Sequence, residues 1–334
     1  MRALLHDLRL TLESDDEALL DGWRRLFDIE VGRASTLPSD VVPDIALTAV
    51  VLSQLPQIAA GQPSYIDPLP EGGRRVRYHE TSGGGILDLA RPARIHFDFL
   101  AGQARILLTR SILDTGNLED VTMIALAPFL RRRSFYMAHA FAVSGDTAVL
   151  LSAPSGGAKT TTGLALVQQG ARYLANDVTL LRSDGDLIKA YLSPGAVNVH
   201  PHSLSLLPDF RERLPAGETA GESGKLVLSR DVLFESGRLG DVSPVQAILF
   251  SSITEQSDYS LHDVPAAVGM ARLIEEGVDQ WDGPAHDDHI SFLAALSRQV
   301  HFYDLRLPAT DAEGLRRIAG GLAQTLLQIS SHAR

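Results

Sequence analysis

The chain has 334 residues, 45% of them hydrophobic, and a formal net charge of −11. That length accommodates about two packed domains, while the acidic balance and the lack of any face-sized basic run argue against a nucleic-acid partner. There is no cysteine, so disulfides and thiolate metal sites are excluded. No run approaches the roughly 18 apolar residues of a membrane span. Asp7 and Arg9 also interrupt the first apolar residues before a signal-type core develops. The expectation is a cytoplasmic protein with no membrane partner.

In chain order, LRLTL (8–12) alternates as a strand, and 16–27 read as an amphipathic helix capped near Asp15. Residues 44–52 are apolar and β-branched enough for a buried strand. Between 75 and 109 the runs RRVRYHE, GILDLA, RIHFDFL and ARILLT are separated by turn signals, which predicts an antiparallel meander with SGGG (82–85) at a hairpin tip. Asn117 is placed to cap a helix through about residue 130. Arg131-Arg132-Arg133, the one basic cluster, reads as a solvated helix end. The texture then changes. AHAFAV from His139 and TAVLLS (147–152) read as strands, TTTGLALVQQG as a helix ended by Gly170, and RYLANDVTLL as one or two strands. LIKAYL, VQAILF (245–250) and HFYDLRL (301–307) are further strands, with helices at 285–299 and 311–328. The fold class is therefore α/β: a mostly β domain over 1–130, followed by an α/β domain over 131–334.

LLSAPSGGAKTTTG (150–163) carries the chemistry. A phosphate-binding loop needs a tight turn between a strand and a helix, so that successive N–H groups and the positive end of the helix face an anion. The usual pattern is G-x-x-x-x-G-K-[ST]. Here Ala153 and Ala158 stand at the two glycine positions, with Lys159 and Thr160 following in place. Pro154, Ser155, Gly156 and Gly157 form the turn, and Thr160 and Thr161 begin the helix. Ala158 adds one methyl group where phosphate approaches, and is expected to sit in the first helical turn without positive φ. Lysine occurs only at 159, 189 and 225, in a chain whose other basic residues are arginine, so a lysine at this point is a pointed choice. A phosphate loop for ATP also needs an acid to hold Mg²⁺. Asp177, 18 residues after Lys159 and at the end of the apolar run RYLAN, is that acid.

The stretch MAHAFAVSGDTAVLLSAPSGGAKTTTGLALVQQGARYLANDVTLL (137–181) resembles the HPr kinase/phosphorylase family, closest in style to the HPr-kinase-like kinases found beside peptide-biosynthesis genes. His139, Pro154, Ser155, Gly156, Lys159, Thr160, Gly170 and Asp177 carry the match. The resemblance implies a nucleotide core like that of phosphoenolpyruvate carboxykinase, with ATP and Mg²⁺ as cofactors. It also implies assembly into oligomers, and His139 on the strand leading into the loop, near the transferred phosphate. Two departures stand out. The family's Asp-Asp pair is Asn176-Asp177 here, and its glycine before lysine is Ala158. Asn176 cannot accept a proton, so one role of the pair is vacant or has moved. SPGAVNVHPHSL (193–204) resembles a segment where the family makes substrate or metal contacts, which singles out His200. On a strand face His200 and His202 could also hold a metal, although a plain turn role fits as well. Lys225, at a glycine-flanked strand entry, can reach a phosphate or a substrate.

Two functions follow. The first is an ATP- and Mg²⁺-dependent phosphotransferase acting on a hydroxyl of a peptide, a protein side chain or a small molecule. In it His139, Lys159 and Asp177 are the catalytic candidates, and Thr160 and Asp177 hold the metal. The alternative is a degenerate nucleotide-binding pseudokinase that serves as scaffold or sensor.

Overall fold

The computed structural model describes residues 1–332 apart from 36–37, 39–41, 59–60, 67–75, 90–92, 155, 215–223 and 278. The chain is a mixed α/β structure that divides into two compact units. One comprises Met1–Arg133 and the segment Asp279–His286; the other comprises Ser134–Ala220, Gly224–Val278 and Asp287–Arg334. No linker signal in the sequence marks the return of Asp279–His286 to the first unit.

The first unit is built on an eight-stranded sheet. Strands Ala93–Asp98, Gly84–Asp88 and Arg77–Thr81 follow Gln103–Thr109 as an antiparallel meander. Ile45–Leu52 lies between Leu8–Ser14 and Gln103–Thr109 and is parallel to both. Alternation decides which face is buried. Leu10, Leu12, Ile45, Leu47, Ile95, Ile106 and Leu108 are almost fully enclosed. They share that interior with Leu19, Trp23 and Phe27 from the first helical stretch and with Leu126 and Phe129 from the helix Leu118–Arg131. The buried Trp23 indole donates to Thr122 Oγ1 at 2.9 Å, so its one polar atom costs nothing to bury. The helix Glu17–Leu26 is capped by Asp16 rather than Asp15: the Asp16 carboxylate accepts from the Leu19 amide at 3.0 Å. Asn117 occupies the N-cap position expected of it but caps nothing with its side chain, which donates to Thr115 Oγ1 instead.

The three arginines are not a solvated helix end. Arg131 is buried and pairs with Asp279 at 2.9 Å. Arg132 grips Asp282 with two bonds, at 2.6 and 3.0 Å, and lies over the Phe99 ring. Arg133 donates to the Asp44 carbonyl at 2.6 Å. The first two fix the returning segment, whose Trp281 packs within 5.4 Å of Phe97 and 4.9 Å of Tyr78. Charge in this cluster is consumed by structure, which sequence composition alone does not reveal.

The second unit carries a nine-stranded sheet. The 13-residue strand Val242–Thr254 is its spine. Its first part pairs antiparallel with Leu187–Tyr191, and its later part is flanked in parallel by Ala148–Ser152 and His301–Pro308. The helix Gly283–Leu296, which contains the AHDDH run, belongs to this unit from Asp287 onward, and Ala312–His332 is the last helix. AHAFAV does not form one strand. The chain breaks at Ala140 into Tyr136–His139, which pairs with Val178–Asp184, and Phe141–Ser144, which pairs with Ala148–Ser152 and Arg172–Ala175. Helix Lys159–Gln168 lies close against Phe141, where a Cβ on Gly163 would come within 2.2 Å of the ring. That approach explains a glycine in an otherwise good helix. Among the described residues no helix is long and apolar enough to cross a membrane.

The arginine staple sets a stability test. Asp282 is only 4% exposed in its side chain, so Arg132→Ala leaves a buried carboxylate without its bidentate partner. The expected cost is about 3 kcal/mol, read from urea unfolding curves. A loss indistinguishable from that of a surface substitution would show that the pair carries no stability.

Candidate functional site

The quoted loop lies at the C-terminal end of the strand Ala148–Ser152 and passes directly into the helix Lys159–Gln168. In open α/β sheets this is where ligands bind, at the carboxyl ends of parallel strands. Three features shape the turn. Gly156 takes a positive φ of 85°. Gly157 is packed so closely that a Cβ would meet Ala153 Cβ at 2.6 Å and the Ser251 carbonyl oxygen at 3.0 Å. Ser251 in turn donates its hydroxyl to the Gly157 carbonyl at 2.7 Å, tying the loop to the central strand.

The third feature is Ala158, and here the sequence reading is corrected. Ala158 is the N-cap residue in the left-handed region, φ 63° and ψ 12°, not the first residue of a regular helical turn. The Lys159 amide must swing round to begin the helix, and only a left-handed residue makes that bend in one step. Glycine does so freely, whereas alanine pays for the clash between Cβ and its own carbonyl. The first intrahelical bond is Thr162 N–H to Ala158 O at 2.9 Å. The amides of Lys159, Thr160 and Thr161 precede it and belong to the open end of the helix, the position that favours anions. The Gly157 amide is engaged differently, donating to Pro154 O at 3.0 Å. Ser155 lies outside the described residues.

Around this turn a continuous chain of polar contacts closes. Lys159 is 8% exposed. Its Nζ lies 2.7 Å from His139 Nε2 and 3.3 Å from Asp177 Oδ1. Asn176, also buried, donates from Nδ2 to Asp177 Oδ2 at 3.0 Å and accepts from Thr160 Oγ1 at 3.3 Å. Thr161 donates to Ser203 Oγ at 2.7 Å. Thus Lys159, His139, Asp177, Asn176 and Thr160 meet, although they come from one strand end, one turn between strands and one helix. His139 enters from the end of Tyr136–His139 rather than from the strand that feeds the loop, and Ser152 Oγ donates to its carbonyl at 3.3 Å.

The electrostatics follow from burial. Burial, then the Lys159 ammonium, pushes the His139 imidazole below its ordinary range; Asp177 and Glu276 oppose them. An ammonium can only donate, so His139 Nε2 accepts, and the ring proton on Nδ1 is free for the bond His139 makes to the Asp177 backbone. Burial likewise lowers Lys159, while Asp177 and Glu276 hold it up and Lys225 adds a smaller depression. Lys225 is therefore close enough to feel the loop's charge. Its segment is carried there by a two-stranded sheet, Val197–Val199 with Leu226–Leu228, and His200 Nδ1 lies 3.3 Å from the Gly224 carbonyl. His200 and His202 do not share a strand face: His200 is the N-cap of the short helix Pro201–Ser205. No group of three or more histidine or acidic side chains gathers as a metal site among the described residues.

Glu276 is the residue sequence reasoning missed. It ends the helix Ala266–Gly277, whose C-terminus abuts His139: a Cβ built on Gly277 would lie 3.4 Å from His139 N and 3.5 Å from His139 Cβ. No basic side chain forms an ion pair with it among the described residues. One sequence sign pointed to it, since Glu275-Glu276 in a last helical turn oppose the helix dipole and gain nothing locally.

No protein-family model matches the chain, and no curated protein matches it. Among solved structures the chain is similar to the Hpr(Ser) kinase/phosphatase from Coxiella burnetii, at 9% identity over 58% of this chain and 98% of that one, with a TM-score of 0.31. A likeness of that size leaves the site to be read from this chain's own residues.

Two measurements follow from the geometry. Ala158→Gly removes a left-handed penalty of about 1–2 kcal/mol and adds up to about 1 kcal/mol of unfolded-state entropy. A net gain of between zero and about 2 kcal/mol in urea unfolding is expected, and a clear loss would contradict the left-handed bend. For His139, a folded pKa below the ordinary value of about 6.5 means that the native state binds fewer protons than the unfolded chain. Its contribution is therefore intact above that pH and is lost as pH falls toward the folded value. Imidazole NMR is expected to show His139 still neutral where a free histidine is half protonated, with the midpoint moving upward in Lys159→Met.

Proposed function

We propose that this site binds the phosphates of ATP and transfers the terminal phosphoryl group to a hydroxyl. The observation that carries the reading is the buried Lys159 ammonium at the mouth of a strand–turn–helix, held by a carboxylate and an imidazole that a phosphate can replace. Lys159 and the first-turn amides bind the β- and γ-phosphates. Lys225 supplies a second charge nearby, and the resemblance of residues 137–181 agrees with this assignment.

The donor set suits magnesium. Thr160 and Asp177 offer a hydroxyl and a carboxylate, hard oxygen ligands, and Mg²⁺ characteristically takes only one or two protein ligands beside phosphate and water. When bound, the ion neutralises charge on the phosphate oxygens. The acceptor oxygen attacks the γ-phosphorus as the bond to the β–γ bridging oxygen breaks, and ADP leaves with that electron pair. The acceptor proton needs a base, and Asn176 is none. Asp177 is taken by the metal and by Asn176, so Glu276, whose charge acts on His139 and Lys159, is the carboxylate left to receive it, with His139 orienting the acceptor. The acceptor class is a hydroxyl on a peptide, a protein side chain or a small molecule.

The pseudokinase reading has one observation in its favour. The neutral Asn176 amide bridges Thr160 and Asp177, the two groups a metal would use, and so satisfies them without one.

ATP turnover by the full chain in the presence of Mg²⁺ tests the first reading. Lys159→Ala and Asp177→Ala are both expected to abolish it, and Glu276→Gln to lower it by about 10²-fold or more, the contribution typical of a general base, with ATP affinity unchanged in calorimetry. Asn176→Asp combined with Ala158→Gly separates the two readings. A large gain in transfer marks a decayed site, and a loss marks a site tuned to its present residues. Wild-type protein that binds no ATP would sink both.

A further inference from the structure

The first unit holds a second concentration of chemistry that the proposed reaction does not use. In its meander, Ala93, Ile95 and Phe97 point into the core, which sends Arg94 and His96 to the opposite face. The register assembles two rows there. His79, Ile86, His96 and Arg105 are paired across four consecutive strands, and Arg77, Asp88 and Arg94 form the adjacent row. Neighbouring strands are about 4.8 Å apart, so the two imidazoles flank Ile86 with Arg94 one row along.

Three nitrogens on this face are buried and have no hydrogen-bond partner among the described residues: His79 Nδ1, Arg94 Nε and His96 Nε2. His79 and Arg94 are each only 7% exposed. Arg94 spends its other nitrogens on the Pro56 carbonyl at 2.6 Å and, at a long 3.4 Å, on Asp88. A buried donor left unmade carries its full desolvation penalty, so three on one face is a departure that calls for a missing partner. That partner must accept hydrogen bonds, because the guanidinium Nε can only donate and each imidazole can donate from the nitrogen in question. It must also tolerate positive charge. Burial first, then Arg94 and Arg105, already disfavours a proton on His96. Asp88 is the one carboxylate in the two rows, and it lies beside Arg94 and opposite Arg77.

We propose that this face of the first unit binds a small oxyanion, a phosphate or carboxylate group, held by His79, Arg94 and His96 with Arg105 at its edge. Bound over Ile86, such an anion would offer acceptors to the orphaned nitrogens on either side of it. It is a separate site from the loop at Lys159 and does not depend on phosphotransfer occurring there.

The test uses the full chain carrying Lys159→Ala, so that phosphate binding at the loop does not intrude. Side-chain NMR follows the imidazoles of His79 and His96, assigned with His79→Gln and His96→Gln, as inorganic phosphate or acetate is added separately into the millimolar range. The expected result is a saturable shift of both rings with at least one of the anions, weakened tenfold or more by Arg94→Gln. A response to phosphate alone assigns a phosphoryl ligand, and a response to acetate assigns a carboxylate. Absence of a saturable shift with either anion would overturn the proposal, because water alone then satisfies the face. So would an affinity, read by calorimetry with the same anions, that is unchanged in the His79→Phe, His96→Phe double variant, which decides the matter if Arg94→Gln does not fold.

Discussion

The site depends on keeping an ammonium out of water. Lys159 is buried at the start of a helix, where the dipole is positive and its charge is least welcome. Removing such a charge from water is costly unless partners are arranged around it. The structure meets that demand with Asp177 and with His139 kept neutral, and Asn176 and Thr160 extend the chain so that no buried polar group in it is stranded. The partners from outside the helix, His139 and the Asn176–Asp177 turn, belong to different strands of the sheet, so those strands must be in place before the lysine is stabilised. Under the proposed function, an incoming phosphate would offer the same ammonium more charge than Asp177 does.

The arrangement also gives a physical meaning to the two departures in the motif. Alanine in place of glycine at 158 stores strain in the left-handed bend that opens the helix end. Asparagine at 176 changes the charge count. A second aspartate there would set two carboxylates side by side next to Thr160, a juxtaposition that only a cation makes comfortable. The amide instead donates to Asp177 and leaves that carboxylate oriented toward Lys159. The resting site is thereby more self-sufficient without a metal than an Asp-Asp pair would be.

What could be read from the sequence divides along the range of the interactions. The strand, the turn and the helix around 150–168 are local, fixed by apolar runs, two glycines and a lysine, and they were legible as a unit. The distance from Lys159 to Asp177 was legible too, because one helix and one return strand fill it. The φ of Ala158 was not, since the choice between a helical and a left-handed residue is set by where the loop must aim, not by the residue itself. The break at Ala140 escaped notice for a similar reason. AHAFAV is a good strand by composition, and only the competing pairings of Tyr136–His139 and Phe141–Ser144 divide it. The arginine triplet misled because solvation is the usual fate of such a run, and its aspartate partners lie nearly 150 residues away.

Glu276 shows the limit most clearly. Its place beside His139 arises from the packing of a whole helix, about 100 residues beyond Asp177 in the chain, and no motif spacing encodes it. Its one local trace is energetic: a carboxylate at the negative end of a helix, where it is slightly unfavourable. Such a residue gains from a cation elsewhere, and Glu276 acts electrostatically on Lys159, favouring its charged form. The same logic applies to His79 Nδ1 and Arg94 Nε in the first unit, where burial without a hydrogen-bond partner among the described residues is the unfavourable term. In both cases the informative residue is the one that local structure makes uncomfortable. The compensation must then come from outside its own element, from a distant side chain in the first case and from a bound anion in the second.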